Sequence, residues 1–325
     1  MTKSAKYHRG PFLSQESLLD KTDIRILREL MQAQTVLPAS PGLGLSYRGM
    51  AMSLGLSHNT VRSRVAKLYA TGVISGTSVY PNPALLGLRA GALAVDVSPS
   101  LRKSEVIRAL RETEGVIFIH NFRGSLVGLG FTYGEGTGPD KKIALLKNAV
   151  GAGEGAFAQI RHPPLTAALT QPELSLVRRL SRGGFSKYSA LALELGCSVR
   201  TLKRRISKLV EERAIFSFPK LDYRAITGGV PAELMVLPDG RAMAELDGRL
   251  LEVLDDWTFY VGAWDELRVY FLILPRVSAL TDLLEKVRRI EGVMNARGEI
   301  VEEYVDQIEN LGKQAIAVSG NDIPL

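Results

Sequence analysis

Cysteine is almost absent from the chain. Cys197 stands alone among 325 residues, so no internal disulfide can form and no Cys-x-x-Cys pair exists to hold zinc or run redox chemistry. Histidine is scarce as well. His8, His58, His120 and His162 are the four, and none stands in a metal-ligand spacing, so no metal is expected. No run of about 18 uninterrupted apolar residues occurs, which leaves nothing to span a membrane. The basic start (Lys3, Lys6, His8, Arg9) has no apolar stretch behind it, unlike a signal peptide. These absences together point to a reducing cytoplasm. Catalytic signatures are also missing. There is no Gly-x-Ser-x-Gly, and the glycine-rich stretch 134–141 fails the P-loop pattern because Pro139 and Asp140 separate Gly138 from Lys141. That stretch reads as a loop leading into a helix, with anion binding at the helix start left open. No cofactor and no enzymatic activity are expected.

What is present is an ordinary globular composition, 46% hydrophobic and 23% charged, on a chain long enough for about two domains. The net charge of +7 is unevenly spread. Residues 230–325 hold 9 Lys+Arg against 18 Asp+Glu, leaving 32 against 16 for residues 1–229. Such a split suggests that one part meets a polyanion and another does not.

An internal repeat organises the chain. Ser57–Leu68 (SHNTVRSRVAKL) superposes without a gap on Ser198–Leu209 (SVRTLKRRISKL), and Tyr47, Ala51, Leu54, Gly55 and Ile74 recur as Tyr188, Ala192, Leu195, Gly196 and Ile215. Upstream, Asp23–Leu30 matches Glu173–Leu180, with extra residues in the first copy falling in the Pro/Gly-rich segment 32–45. Each copy reads as three helices. In the first, Ile24, Leu27 and Met31 form a stripe behind a cap at Asp20; Ser46 caps a short helix over Tyr47–Leu54; Gly55 turns the chain; and Ser57 caps a helix to about Ala70. Val61, Val65 and Leu68 face inward there, as Leu202, Ile206 and Leu209 do in the second copy. A short helix, a glycine turn and a capped helix make a helix-turn-helix. Behind each copy, β-branched and aromatic enrichment predicts β-α-β-β-α-β: strand 92–97, helix 102–112, strands 116–122 and 126–133, helix 139–149, strand 156–161. The second set is strand 232–237, helix 240–254, strands 257–262 and 267–274, helix 278–290, strand 293–301. The fold class is α+β, with two winged helix-turn-helix units (18–80 and 168–222) alternating with two ferredoxin-like βαββαβ units (88–165 and 230–310), flanked by tails 1–17 and 311–325.

Leu19, Asp20, Asp23, Ile26, Leu27, Leu56, Ser57, Thr60, Val61, Arg64, Val65, Leu68, Gly72, Val73 and Ile74 together resemble the helix-turn-helix of the Lrp/AsnC (feast/famine) regulators. The residues through Pro83, Leu86 and Gly87 resemble that family's hinge strand. The resemblance implies ferredoxin-like domains that dimerise and, in many members, bind amino acids. Two family units in tandem imply an intramolecular pseudo-dimer able to assemble further. The second copy departs at Arg213, which stands where Gly72 stands in the first. The family's glycine and aspartate effector turn is retained as Gly262 and Asp265, while residues 124–126 have no aspartate.

Double-stranded DNA is the expected partner. In copy one the contact set is Ser46, Tyr47, Ser57, His58, Asn59, Thr60, Arg62, Ser63, Arg64 and Lys67; in copy two it is Lys187, Tyr188, Ser198, Arg200, Thr201, Lys203, Arg204, Arg205 and Lys208. Between Ser57 and Thr71 there are three bases and no acid. Cations of this kind neutralise phosphates, and Asn59 or Arg62 can reach base edges. For Arg64 and Arg205, at the edge of the buried stripe, an internal ion pair and a phosphate contact are equally open. His120 reads as a partly buried strand residue and Cys197 as a small core residue. The aromatics Trp257, Phe259, Tyr260, Trp264, Tyr270 and Phe271 read as sheet-face packing or a dimer surface. A rival reading is an enzyme, because siroheme decarboxylases resemble the same architecture; of the histidines such a site would use, the ferredoxin-like units offer His120.

Overall fold

The computed structural model describes residues 19–32, 47–166, 168–181, 188–240, 243–265, 267–308 and 310–311. The first helix-turn-helix consists of α1 (Lys21–Gln32), α2 (Tyr47–Leu54) and α3 (His58–Ala70). Strand β1 (Ile74–Pro81) leaves it for β2 (Leu88–Asp96), α4 (Lys103–Arg111), β3 (Val116–Phe122), β4 (Leu126–Gly134), α5 (Asp140–Val150) and β5 (Ala156–Ile160). The same order follows again. Helices α6 (Gln171–Ser181), α7 (Tyr188–Glu194) and α8 (Val199–Glu211) precede β6 (Ile215–Leu221), β7 (Val230–Pro238), α9 (Met243–Leu254), β8 (Thr258–Trp264), β9 (Leu267–Leu274), α10 (Ser278–Arg288) and β10 (Val293–Asp306).

Local chemistry explains where the third helix of each helix-turn-helix begins. Ser57 and Ser198 lie in extended conformation and accept the backbone N–H of Thr60 and Thr201, at 3.0 and 3.1 Å. Each satisfies one orphan donor of the first turn. The turns before them pass through Gly55 and Gly196 at φ +66° and +59°, a region that favours residues without a Cβ. Arg213 occupies the same left-handed region (φ +58°) that Gly72 (φ +79°) fills in the first unit.

Two sheets result. In one, β1 and β6 pair antiparallel with each other, Ile74 opposite Leu221 and Pro81 opposite Ile215. The strand that leaves the first helix-turn-helix thus lies antiparallel on the strand that leaves the second. The other sheet has eight strands in the order β5-β2-β4-β3-β10-β7-β9-β8. Each half has ferredoxin-like strand order, and β10 stitches the halves: its first part pairs with β7 (Ile300 opposite Ala232) and its second part with β3 (Asp306 opposite Phe118). It therefore runs five residues beyond the strand expected at 293–301.

Alternation along the strands decides the cores. Leu93, Val95, Val127 and Leu129 turn to α4 and α5, while Leu234, Val236, Tyr270 and Leu272 turn to α9 and α10. The opposite faces look toward each other and toward the helix-turn-helix units. Ile24, Leu27, Met50, Val61 and Val65 of the first unit form one continuous core with Phe259, Val269, Phe271 and Ile273 of the second ferredoxin-like unit. Polar contacts reinforce this docking. Arg28 donates to Thr258 O at 2.8 Å and to Asp255, Lys21 pairs with Asp256, and the Lys21 ammonium lies 5.5 Å from the Trp257 ring centroid. The acidic end of the chain therefore holds a basic helix.

Candidate nucleic-acid interface and the cavity between the sheets

Helix α1 begins with a reciprocal cap. Asp23 N donates to Asp20 Oδ1 (2.9 Å) and Asp20 N to Asp23 Oδ2 (3.3 Å). Asp23 is fully buried, and a buried carboxylate needs cationic partners. It finds them on α3, where Lys67 Nζ and Arg64 Nη1 each approach it to 3.1 Å; Arg64 also reaches Asp20 at 2.5 Å. The second unit repeats the device. Thr170 N and its hydroxyl donate to Glu173 Oε2 at 2.8 and 2.7 Å, and Lys208 Nζ meets Oε1 at 2.6 Å. Lys208 foremost, then Thr170, pulls the Glu173 carboxyl down to about 2.

The sequence places Lys67 and Lys208 on the outward face; in the structure each turns back onto the first helix of its unit. Arg64 takes the ion-pair alternative. In the second unit Thr170 stands at the position of Asp20, and no ion pair involves Arg205, the counterpart of Arg64, among the described residues. Exposed on α3 are His58, Asn59, Arg62 and Ser63, with Ser57 at the cap and Thr60 half-buried. On α8 Arg200 and Arg204 are exposed, Ser198 is the cap, and Thr201, Lys203 and Arg205 are half-buried. Tyr47 stands edge-on to His58 at 6.2 Å. Tyr188, expected outside, is buried instead, packed in the core of the second helix-turn-helix beneath the Lys203 ammonium at 5.2 Å. Burial pushes its phenol up to about 12. Ser46 and Lys187 lie outside the described residues. Arg62 on α3 and Arg200, Lys203, Arg204 and Arg205 on α8 are cations without a described acidic partner, Lys203 lying over the Tyr188 ring.

Asp265 closes the open seam of the eight-stranded sheet. It sits at φ +48° between β8 and β9, and its carboxylate accepts Gln159 N (2.7 Å) and Arg161 Nε (3.0 Å) from the end of β5. Gly262, in β8, is covered by the Trp264 indole, which a Cβ there would meet at 3.0 Å.

Between the two half-sheets lies a cavity of about 1060 Å³. Small residues create it: Ala92, Ala94 and Gly128 floor the first half-sheet, opposite Met235, Leu237 and Leu267 of the second. His120 and Glu233, one from each half, are both almost fully buried in its wall, Nδ1 lying 2.5 Å from Oε1. His120 is thus an interior residue, ringed by Phe118, Phe122, Phe271 and Tyr304. Glu233 was not singled out by sequence. Its signal was a lone acid inside the apolar strand 232–237.

Among the described residues no helix is long and apolar enough to cross a membrane, and no cluster of three or more potential metal ligands occurs. The fold is the alternating winged-helix and ferredoxin-like α+β architecture. No protein-family model matches the chain. In sequence it is similar to the HTH-type transcriptional regulator Ptr1 of Methanocaldococcus jannaschii, 31% identical over 108 residues, which is 33% of this chain and 66% of that regulator. The chain thus covers slightly less than two thirds of that relative. In structure it is similar to the siroheme decarboxylase NirDL, with a TM-score of 0.53 at 12% identity, covering 91% of this chain and 100% of that one. NirDL in co-complex with an iron-uroporphyrin III analogue gives a TM-score of 0.51 at 14% identity, covering 92% and 99%. At these identities the likeness is one of fold.

Proposed function

We propose that the chain is a sequence-specific DNA-binding transcriptional regulator of the Lrp/AsnC type, its two fused units acting as an intramolecular pseudo-dimer that responds to a small molecule. The observation that carries this reading is the pair of capped helices α3 and α8, which expose Arg62 on the one and Arg200 and Arg204 on the other and whose following strands pair with each other. The sequence similarity to an HTH-type regulator supports it. Phosphate neutralisation falls to Arg62, Arg200, Arg204 and Arg205, and base reading to Asn59, Arg62 and Arg200. Lys67, Lys208 and Arg64 act indirectly, by fixing each reading helix on its first helix.

Because α3 presents His58 and Asn59 where α8 presents Val199 and Arg200, the two half-sites differ. Binding-site selection should return an imperfect palindrome whose half-sites lie about one helical turn or a multiple apart. A perfect palindrome, or no preference, refutes the reading. If about six to eight phosphates are contacted, log K against log salt should fall with a slope of roughly −5 to −7.

A second reading is a tetrapyrrole-handling enzyme like the siroheme decarboxylase that shares the fold. The cavity favours it, having His120 in its wall and room for a large flat ligand. An absorbance scan of purified protein, with and without added iron porphyrin, separates the two: a Soret band shifted by binding and lost in His120→Ala supports the enzyme reading.

A further inference from the structure

The cavity between the half-sheets carries an inference that holds whether or not the chain binds DNA. The rim is electrically balanced. Lys147, Arg161 and Arg297 stand against Asp96, Glu154 and Asp265, with Arg161 on Asp265 at 3.0 Å and Arg297 within 4.0 Å of Asp96. The rim therefore selects no sign of charge. The interior does. Glu233 has a side chain only 3% exposed and no lysine or arginine among its described partners. Its Oε1 lies 2.5 Å from His120 Nδ1, an ion pair only when that imidazole is protonated, and accepts no other described hydrogen bond. An acid so placed is costly unless something answers it.

What surrounds it is aromatic. Phe118 from the first half and Trp264 from the second line the same cavity, their ring centroids 6.3 Å apart and the planes tilted by 31°. The faces of such rings carry negative quadrupole potential and attract cations, more strongly where water is excluded. The volume, about 1060 Å³, is ample for a fused ring system, and the floor of the first half-sheet is made of the small residues Ala92, Ala94 and Gly128. We infer that this cavity is a binding site for a flat, apolar organic cation, with Glu233 as its counter-ion and Phe118 and Trp264 as its stacking faces. Phe122 and Leu126 in the cavity wall belong to the same core as the first helix-turn-helix, so an occupant packs against the structure that positions α3.

The test uses the full chain carrying Trp257→Phe, which leaves Trp264 as the only tryptophan. Rhodamine 6G, a cation with a flat xanthene core, should quench Trp264 saturably and bind at least tenfold more tightly than fluorescein, whose xanthene body is similar but anionic. Glu233→Gln should weaken rhodamine 6G at least tenfold and leave fluorescein within twofold, and Ala94→Leu, which fills the slot, should weaken both. Fluorescein binding to the unmutated site as tightly as rhodamine 6G overturns the proposal, and so does rhodamine 6G affinity unchanged in Glu233→Gln or in Ala94→Leu. The comparison of the two dyes keeps the proposal testable if Glu233→Gln does not fold.

Discussion

Replacing Glu173 by glutamine should loosen the second helix-turn-helix in a way that acid erases. Glu173 accepts from Lys208 Nζ at 2.6 Å and from Thr170 N and its hydroxyl at 2.8 and 2.7 Å, so it serves as cap and ion-pair partner together. Its carboxyl is drawn from 4.5 to about 2, a shift worth about 3 kcal/mol at 1.36 kcal/mol per unit. Lys208 is half exposed, so solvent screening reduces the realised stabilisation to about 1–2 kcal/mol. A depressed carboxyl contributes stability that is complete above about 4.5 and is lost as pH falls toward 2. Cys197, the only thiol, is half-buried against the core of this unit and reports its opening. Labelling with dithiodipyridine, which reacts even in acid, should run about 5–30-fold faster in Glu173→Gln than in the unmutated chain at pH 7. By pH 3 the ratio should have shrunk toward one. An equal ratio at both pH values would refute the argument that the charge on Glu173 clamps α8.

Three further outcomes follow from other contacts. His162 stacks on Tyr80 at 5.4 Å, and burial pulls its imidazole down to about 4. Its share of stability is present above about 6.5 and lost as pH falls toward 4, up to about 3 kcal/mol, so His162→Phe should flatten thermal stability over that window. Gly130→Ala places a Cβ about 2.1 Å from the Phe118 ring and should cost roughly 1–3 kcal/mol in calorimetry, a loss relieved when Phe118→Leu is combined with it. Arg28→Met strands the Thr258 carbonyl and the Asp255 carboxylate; about 1–3 kcal/mol of local stability should disappear, read as faster amide exchange in α1 and β8 but not in α6.

Legibility in the sequence followed the range of the forces involved. The helices were readable because their determinants are local: Ser57 and Ser198 cap within three residues, Gly55 and Gly196 take a backbone region that disfavours side chains, and Val61, Val65 and Leu68 repeat at helical spacing. β-branched and aromatic enrichment is equally local, and the order of elements in both ferredoxin-like units could be read from it. The outward positions of Asn59, Arg62, Arg200 and Arg204 come from the same periodicity.

Tertiary structure decided what depends on partners distant in sequence. Lys67 and Lys208 share the polar face of their helices with Arg62 and Arg204, and only the packing of α1 and α6 brings a buried acid within reach of the first pair. The last residues of β10 are a strand because β3, far back in the chain, supplies their hydrogen bonds. Ala92, Ala94 and Gly128 are unremarked small residues in sequence; facing Met235 and Leu267 across two sheets they become a cavity, with His120 and Glu233 meeting in its wall. The sequence by itself determined which elements exist and which face of each is apolar, since both are set by neighbours along the chain. Which charges are spent inside, and where empty space is left, was decided by surfaces that meet only after folding.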